Sequence, residues 1–475
     1  MRNWKMISML AVVSVMAAGC GAGEKTADRQ EIVLNVWNYY SGAQQESFQT
    51  LVDEFNQGRG KELKITINVS SEGSISDLEE DVIDAAEKKV GAREVPDIFA
   101  AYADTAMNID EHGIIQDISS YFTEEETEEY VDSYLEEGNL GREGEIKIFP
   151  VAKATEIFML NQTDWDKFSE ATGADIQDLR TIEGVTKTAE KYYQWTDSLT
   201  PEEDDGKAFF GRDAMANYMF IGARQFGVEI ISVDDDGKMI LSLPKDVARK
   251  LWDNYYVPYI KGYFSAVGKF RSDDVRTGNV ICFVGSSASA SFFPKEVILS
   301  DEESYPIESS VLEAPRFEDG EPFAVQQGAG MVVTKGSDRK VEACVEFLKW
   351  FTEPEQNIRF CLASGYLPVK KEANDMDRIM EETEVTESVK KTLEAAVSTV
   401  NGNTLYTSPV TRNAGSVREL MNYSMSDLAA ADSQEIERMR SEGTSREEAV
   451  SMYDTDEHFE EWYAEICRQM EELVK

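Results

Sequence analysis

The sequence predicts an α/β fold divided into two lobes, and three observations lead there. The chain has 475 residues, and single hydrophobic cores stop growing at about 250–300 residues, beyond which chains divide. Hydrophobic residues make up 42% of it and aromatics 10%, enough to fill two cores and unlike the composition of disordered chains. Apolar runs of strand character also alternate with stripes of helical period from the beginning of the chain, the order that builds a β-α-β unit with parallel strands.

Arg2 and Lys5 precede a short apolar run, Met6 to Met16. This is the order of a secretory signal, and the run is too short to cross about 30 Å of hydrocarbon as a helix. It ends in Ala17-Ala-Gly-Cys20, small residues before a cysteine that resemble a bacterial lipobox, with Ala17 where a leucine is usual. Residues 1–19 are therefore expected to be a signal peptide. Residues 20–30, small and polar, are expected to form a tether lipidated at Cys20 that holds the protein on the extracytoplasmic face of the cell membrane. No later segment is apolar enough to span a bilayer.

Ile32-Val-Leu-Asn-Val-Trp37 reads as a buried strand. Phe48, Leu51, Val52 and Phe55 follow at helical spacing, and Leu63 to Val69 returns to alternation. Pro96 to Ala101 reads as the next strand, so the opening segment forms a parallel sheet whose ligand crevice lies at the carboxyl ends of its strands. Tyr39, Tyr40 and Ser41 sit just past the first strand, and Tyr102 and Asp104 past the later one. Tyr39 and Tyr40 alternate sides, so one of them faces the interior. Glu145 to Pro150 and Thr155 to Asn161 read as extended stretches on either side of Lys153-Ala154, a crossover point.

Phe226 to Val233 and Lys238 to Leu243 flank an Asp-rich turn ending in Gly237, a hairpin signal. Val280 to Gly285 is a buried strand opening into the hydroxyls Ser286, Ser287 and Ser289. Ala329 to Thr334 leads into a helix carrying Val341, Cys344, Val345, Leu348 and Phe351. The tail from Ser445 is an acidic amphipathic segment with Phe459, Trp462, Ile466, Met470 and Leu473 as its buried stripe.

Charge excludes some partners. Lys plus Arg total 47 against 90 Asp plus Glu, a net charge of −43, which repels nucleic acid and anionic headgroups and keeps a secreted chain soluble and monomeric. The five cysteines (20, 282, 344, 361 and 467) form no CxxC pair, and only His112 and His458 supply imidazole. No metal site, cofactor motif or disulfide framework is indicated, and Cys344 and Cys361 read as core. Both histidines lie in polar surroundings and read as surface residues. The sequence also lacks a G-x-S-x-G elbow, H-E-x-x-H and a P-loop.

With these elements placed, the chain resembles the family 1 extracellular solute-binding proteins of bacterial ABC importers, the group of maltose-binding and glycerol-phosphate-binding receptors. The resemblance rests on the order of several short pieces. They are Asn35-Val-Trp37, Glu54-Phe-Asn56, Pro96-Asp-Ile98, Phe149-Pro150 before Met159-Leu-Asn161, and Gly227 through Gly237-Lys238. Gly278-Asn279, Glu346 to Trp350, Glu353-Pro-Glu355 and Gly365-Tyr-Leu-Pro368 complete the set.

The resemblance implies two discontinuous α/β lobes of the type II periplasmic binding-protein kind, 31–149 with 323–365 and 150–322 with 366–475. They would close by a hinge around a small ligand for delivery to permease subunits. It places Tyr39, Tyr40, Ser41, Tyr102, Asp104, Lys153, Thr155, Ser286, Ser287, Gln327, Gly328, Tyr366 and Arg412 in the cleft. It divides between neutral oligosaccharides and a phosphorylated polyol. Arg412, with Lys153 across the cleft, could fork onto an anion or, paired with Asp104, position that carboxylate toward sugar hydroxyls. The tyrosines favour a neutral or mildly acidic sugar. A secreted carbohydrate-active enzyme, needing a carboxylate pair about 5 to 9.5 Å apart, and a structural lipoprotein are the competing classes.

Overall fold

The computed structural model describes residues 30–234, 237–382, 387–411 and 413–474. Cys20 and the expected signal peptide and tether as far as residue 29 lie outside them, as does Arg412. The first sheet has four strands in the order Gly330–Val333, Ile98–Ala101, Ile32–Asn38, Ile65–Ser71. The last three run parallel, with Ile32 opposite Ile65 and Val36 opposite Ile98. Gly330–Val333 enters antiparallel beside Ile98–Ala101. The helix Gly42–Gln57 buries the expected stripe of Phe48, Leu51, Val52 and Phe55 against this sheet, since residues at i, i+3, i+4 and i+7 share one helical face.

The second sheet runs Ser309–Glu313, Glu156–Asn161, Cys282–Ser286, Phe210–Arg212. It is mixed: Glu156–Asn161 is antiparallel to both neighbours, while Phe210–Arg212 and Cys282–Ser286 are parallel. Alternation along the strands feeds two cores. Phe158, Leu160, Cys282 and Val284 join one apolar cluster, whereas Ile157, Met159 and Phe283 join another on the opposite face. A sheet covered on both faces needs apolar residues at successive positions, which is why these strands read as continuous apolar runs.

The expected Asp-Gly hairpin forms, with Ile231–Val233 antiparallel to Met239–Leu241 and Gly237 at φ 77°. The stretch 145–150 is not a strand; only Phe149 makes a bridge, to Met331. In the tail, Phe459, Trp462, Ile466 and Met470 are buried on the helix Asp456–Leu473, while Leu473 is only partly covered. This helix packs over Trp252, whose ring stacks on Tyr256 at 3.6 Å. His458 is not a free surface histidine: its Nε2 lies 2.7 Å from Asp432, which also accepts from the Tyr256 hydroxyl at 2.6 Å. The long helix Ala414–Ser441 crosses the same core through Val417, Met421, Met425 and Ala429. Among the described residues, no helix is long and apolar enough to cross a membrane.

Three chain segments pass between the two sheets and are laced together. Lys153 bridges Leu367, Ala154 bridges Gln327, and Phe323–Val325 pairs in parallel with Thr404–Tyr406.

Candidate ligand-binding cleft

Between the sheets, where their strands end and the crossovers pass, lies a cleft of ≈ 440 Å³. Its first wall comes from the turn after Ile98–Ala101. Tyr102 begins the helix Ala103–Asp110 and leaves 37% of its surface exposed, while Asp104 sits in the first turn and accepts from the Thr105 amide at 2.9 Å. Tyr366 lines the cleft from the third crossover. Its hydroxyl is 3.4 Å from that of Tyr39, whose ring lies 6.4 Å from Tyr102. Burial pushes Tyr366 up to about 12, so its hydroxyl stays protonated and can donate. Ser286, Gln327 and Gly328 line the floor. At φ 101° Gly328 holds a left-handed conformation, and a Cβ there would stand 3.0 Å from the Ala152 carbonyl.

Several expected cleft residues turn out to be structural. Tyr40 is the inward member of its pair: 3% exposed, it packs between Phe48 and Phe360 at 5.3 Å from each. Ser41 is exposed at the start of Gly42–Gln57, does not line the cleft and makes no capping bond. Thr155 is fully buried and donates to the Val325 carbonyl at 2.8 Å, while Ser287, equally buried, pairs with the Thr155 main chain. Lys153 does not present its ammonium to a ligand. It is 2% exposed and consumed by the Glu137 carboxylate and by the Gly328 carbonyl at 2.9 Å. Arg412 lies outside the described residues.

The sequence reading missed other cleft residues. Glu137, Asn217, Gln326, Tyr406 and Arg418 all line the cleft. Arg418 stands one turn into the helix Ala414–Ser441, and its Nη2 donates to Asn217 Oδ1 at 2.8 Å. The Asn217 amide donates in turn to Glu156 at 2.9 Å. A signal for this was available: Glu156 opens a strand whose next four residues are apolar, and a carboxylate on a buried strand requires partners. Burial raises the Glu156 pKa, with Arg212 opposing that shift from 3.8 Å. Tyr102 is likewise raised by burial, with Tyr39 and Arg418 opposing the shift and Asp104 and Glu137 adding to it. Gln326 donates to the Ser133 carbonyl and to Glu137 Oε2, at 3.0 and 2.5 Å. Both partners are acceptors, which fixes the amide orientation and leaves Gln326 Oε1 without a partner. Among the described residues, no group of three His, Cys, Asp or Glu side chains is placed to hold a metal ion.

Two α/β lobes around a cleft of aromatic and hydrogen-bonding side chains are the architecture of a periplasmic binding protein. The chain belongs to the bacterial extracellular solute-binding protein family, whose model matches residues 50–387. Its fold is that of solved solute receptors. UgpB from Mycobacterium tuberculosis, in complex with glycerophosphocholine, superposes with a TM-score of 0.65 at 16% identity, covering 94% of this chain and 99% of that one. The cyclic α-maltosyl-1,6-maltose binding protein from Arthrobacter globiformis gives 0.64 at 18% identity, covering 92% and 99%. An ABC substrate-binding protein from Listeria monocytogenes in complex with cycloalternan gives 0.63 at 15%, covering 93% and 99%. Among curated proteins, none matches by sequence.

Proposed function

We propose that this protein is the receptor of a bacterial ABC importer, that it captures a neutral sugar or oligosaccharide between its lobes, and that it catalyses no reaction. The observation that carries this reading is the charge balance of the cleft. Among the described residues, the charged side chains lining it are Asp104, Glu137 and Arg418. Glu137 is neutralised by Lys153, and the remaining carboxylate and guanidinium offset each other, so in a chain of net charge −43 the described lining of the cleft carries no net charge. Tyr102, Tyr366 and Tyr406 line the cleft with aromatic surface suited to the apolar C–H face of a pyranose, and Gln326, Gln327 and Ser286 supply donors and acceptors for its hydroxyls.

The architecture supports hinge closure. One apolar cluster draws on residues 34–154 and 331–369, another on 158–317 and 406–470. The lobes at 31–149 with 323–365 and at 150–322 with 366–475 would then rotate about the laced crossovers. The anchor rests on the lipobox-like Ala17-Ala-Gly-Cys20, which would keep the receptor beside its permease. The solved relatives bind maltosyl sugars, cycloalternan or glycerophosphocholine, and these define the test panel. Calorimetric titration with maltotriose, cycloalternan, xylotriose, glycerophosphocholine and sn-glycerol 3-phosphate should give saturable binding of a neutral sugar. Binding confined to the phosphate compounds would replace this reading with that of a phosphopolyol receptor.

A further inference from the structure

Behind the cleft lies a second cavity, of ≈ 860 Å³, and Asn217, Ile221 and Val325 line both. These residues form a shared wall, and a continuous polar chain runs from one side of it to the other. Arg418 donates to Asn217 at 2.8 Å, Asn217 donates to Glu156 Oε1 at 2.9 Å, and Glu156 Oε2 lies 3.8 Å from Arg212 Nη1. The two central residues are 1% and 6% exposed, and Arg212 is 8% exposed with its guanidinium 4.9 Å from the centre of the Tyr218 ring. The donor sense is fixed at every link. An arginine can only donate, so Asn217 turns its oxygen toward Arg418 and its amino group toward the carboxylate.

We propose that Arg418 is a specificity-determining residue of the cleft and that Glu156, acting through Asn217, is its positioning residue. The deepest pair, Glu156 and Arg212, cancels internally. Arg418 is exposed and lines the cleft, and among the described residues its one hydrogen bond is to a neutral amide. The guanidinium therefore keeps its other donors for a ligand. An unrestrained arginine loses rotamer entropy when a ligand fixes it, and tying Nη2 to a buried, oriented amide removes part of that loss before binding. The ligand group this arrangement fits is a pair of acceptor oxygens spaced for a guanidinium fork, such as vicinal hydroxyls of a neutral sugar. That identification rests on the sugar-receptor reading, whereas the positioning of Arg418 does not.

The test has two parts. With the protein labelled at arginine nitrogen, the Arg418 side-chain signal is assigned by its loss in Arg418→Ala, and the rotation of its guanidinium is measured by exchange. Slow rotation in the wild type should become fast in Asn217→Leu and in Glu156→Leu but stay slow in Glu156→Gln, whose amide oxygen still accepts from Asn217. Rotation unchanged in Asn217→Leu overturns the positioning role whatever the protein binds. Asn217→Ser, which leaves less room for misfolding, carries the same comparison if the leucine variant does not fold.

The second part is titration of the same variants with maltotriose and cycloalternan. Arg418→Ala and Asn217→Leu should each weaken binding about tenfold, and the double variant no more than about threefold beyond Arg418→Ala, because partners in one chain do not add. Fully additive losses, or an Arg418→Ala protein that binds as tightly as the wild type, overturn the proposal. Binding of neither sugar by the wild type, with the rotation results intact, overturns the sugar assignment alone.

Discussion

Removing the Lys153 ammonium should leave a carboxylate stranded where the crossovers pass between the sheets. Lys153 is 2% exposed, and the Glu137 side chain retains 9%. The ammonium also donates to the Gly328 carbonyl at 2.9 Å, so it joins the first lobe's helix Asp132–Glu137 to two crossovers at once. Lys153→Met keeps the apolar stem and deletes both interactions, and Glu137 is left with the Gln326 amide at 2.5 Å. Breaking a buried pair from one side costs about 3–5 kcal/mol, whereas an exposed pair contributes about 0–1 kcal/mol. Burial on both sides puts this pair in the first range, and the expected loss is about 3–4 kcal/mol. In Lys153→Met/Glu137→Gln the stranded charge is gone, and at least half of that loss should return. Urea unfolding followed by tryptophan fluorescence measures both. A single-variant loss below about 1 kcal/mol, or a double variant no more stable than the single, would refute the assignment of a buried, mutually dependent pair.

Four further outcomes are expected. Tyr102→Ala should weaken binding of a panel sugar about tenfold with little change in stability, whereas Tyr40→Ala should cost about 3–5 kcal/mol, as aromatic core truncations do, with binding retained by the folded fraction; titration and urea unfolding separate them. Gly328→Ala should destabilise by about 1–3 kcal/mol because of its positive φ and the 3.0 Å approach to the Ala152 carbonyl. Burial raises the Asp213 pKa above the ordinary aspartate range, so the folded state holds that proton more tightly than the unfolded chain and stability is lost as pH rises from the unfolded to the folded value. Asp213→Asn should gain relative to wild type in calorimetry as pH rises above the ordinary aspartate value of about 4, and a relative gain on acidification would contradict this sign. Cys20→Ser should release the protein from membranes and abolish labelling by a tagged fatty acid; retention on the membrane would dismiss the anchor.

What the sequence alone determined was the set of features written in local periodicity. The strands at 32, 65, 98, 156 and 282, the Phe48 to Phe55 stripe, the hairpin at Gly237 and the buried face of the last helix were legible because a strand buried on both faces is a continuous apolar run, a half-buried strand alternates every 2 residues and a helix face repeats every 3.6. Alternation also showed that Tyr39 and Tyr40 face opposite sides. Only the fold decided that Tyr40 is the inward one, because the choice depends on Phe48 and Phe360 packing there together. The polar roles were least legible. Lys153 read as a cleft cation until the fold brought Gly328, 175 residues away, and Glu137 against it. The Arg418–Asn217 link spans 201 residues. Hydrophobic burial is non-directional and satisfied by any apolar neighbour, so a pattern along the chain can encode it. A hydrogen bond or ion pair needs one partner at about 3 Å in a definite direction, and only the tertiary structure brings that partner into place.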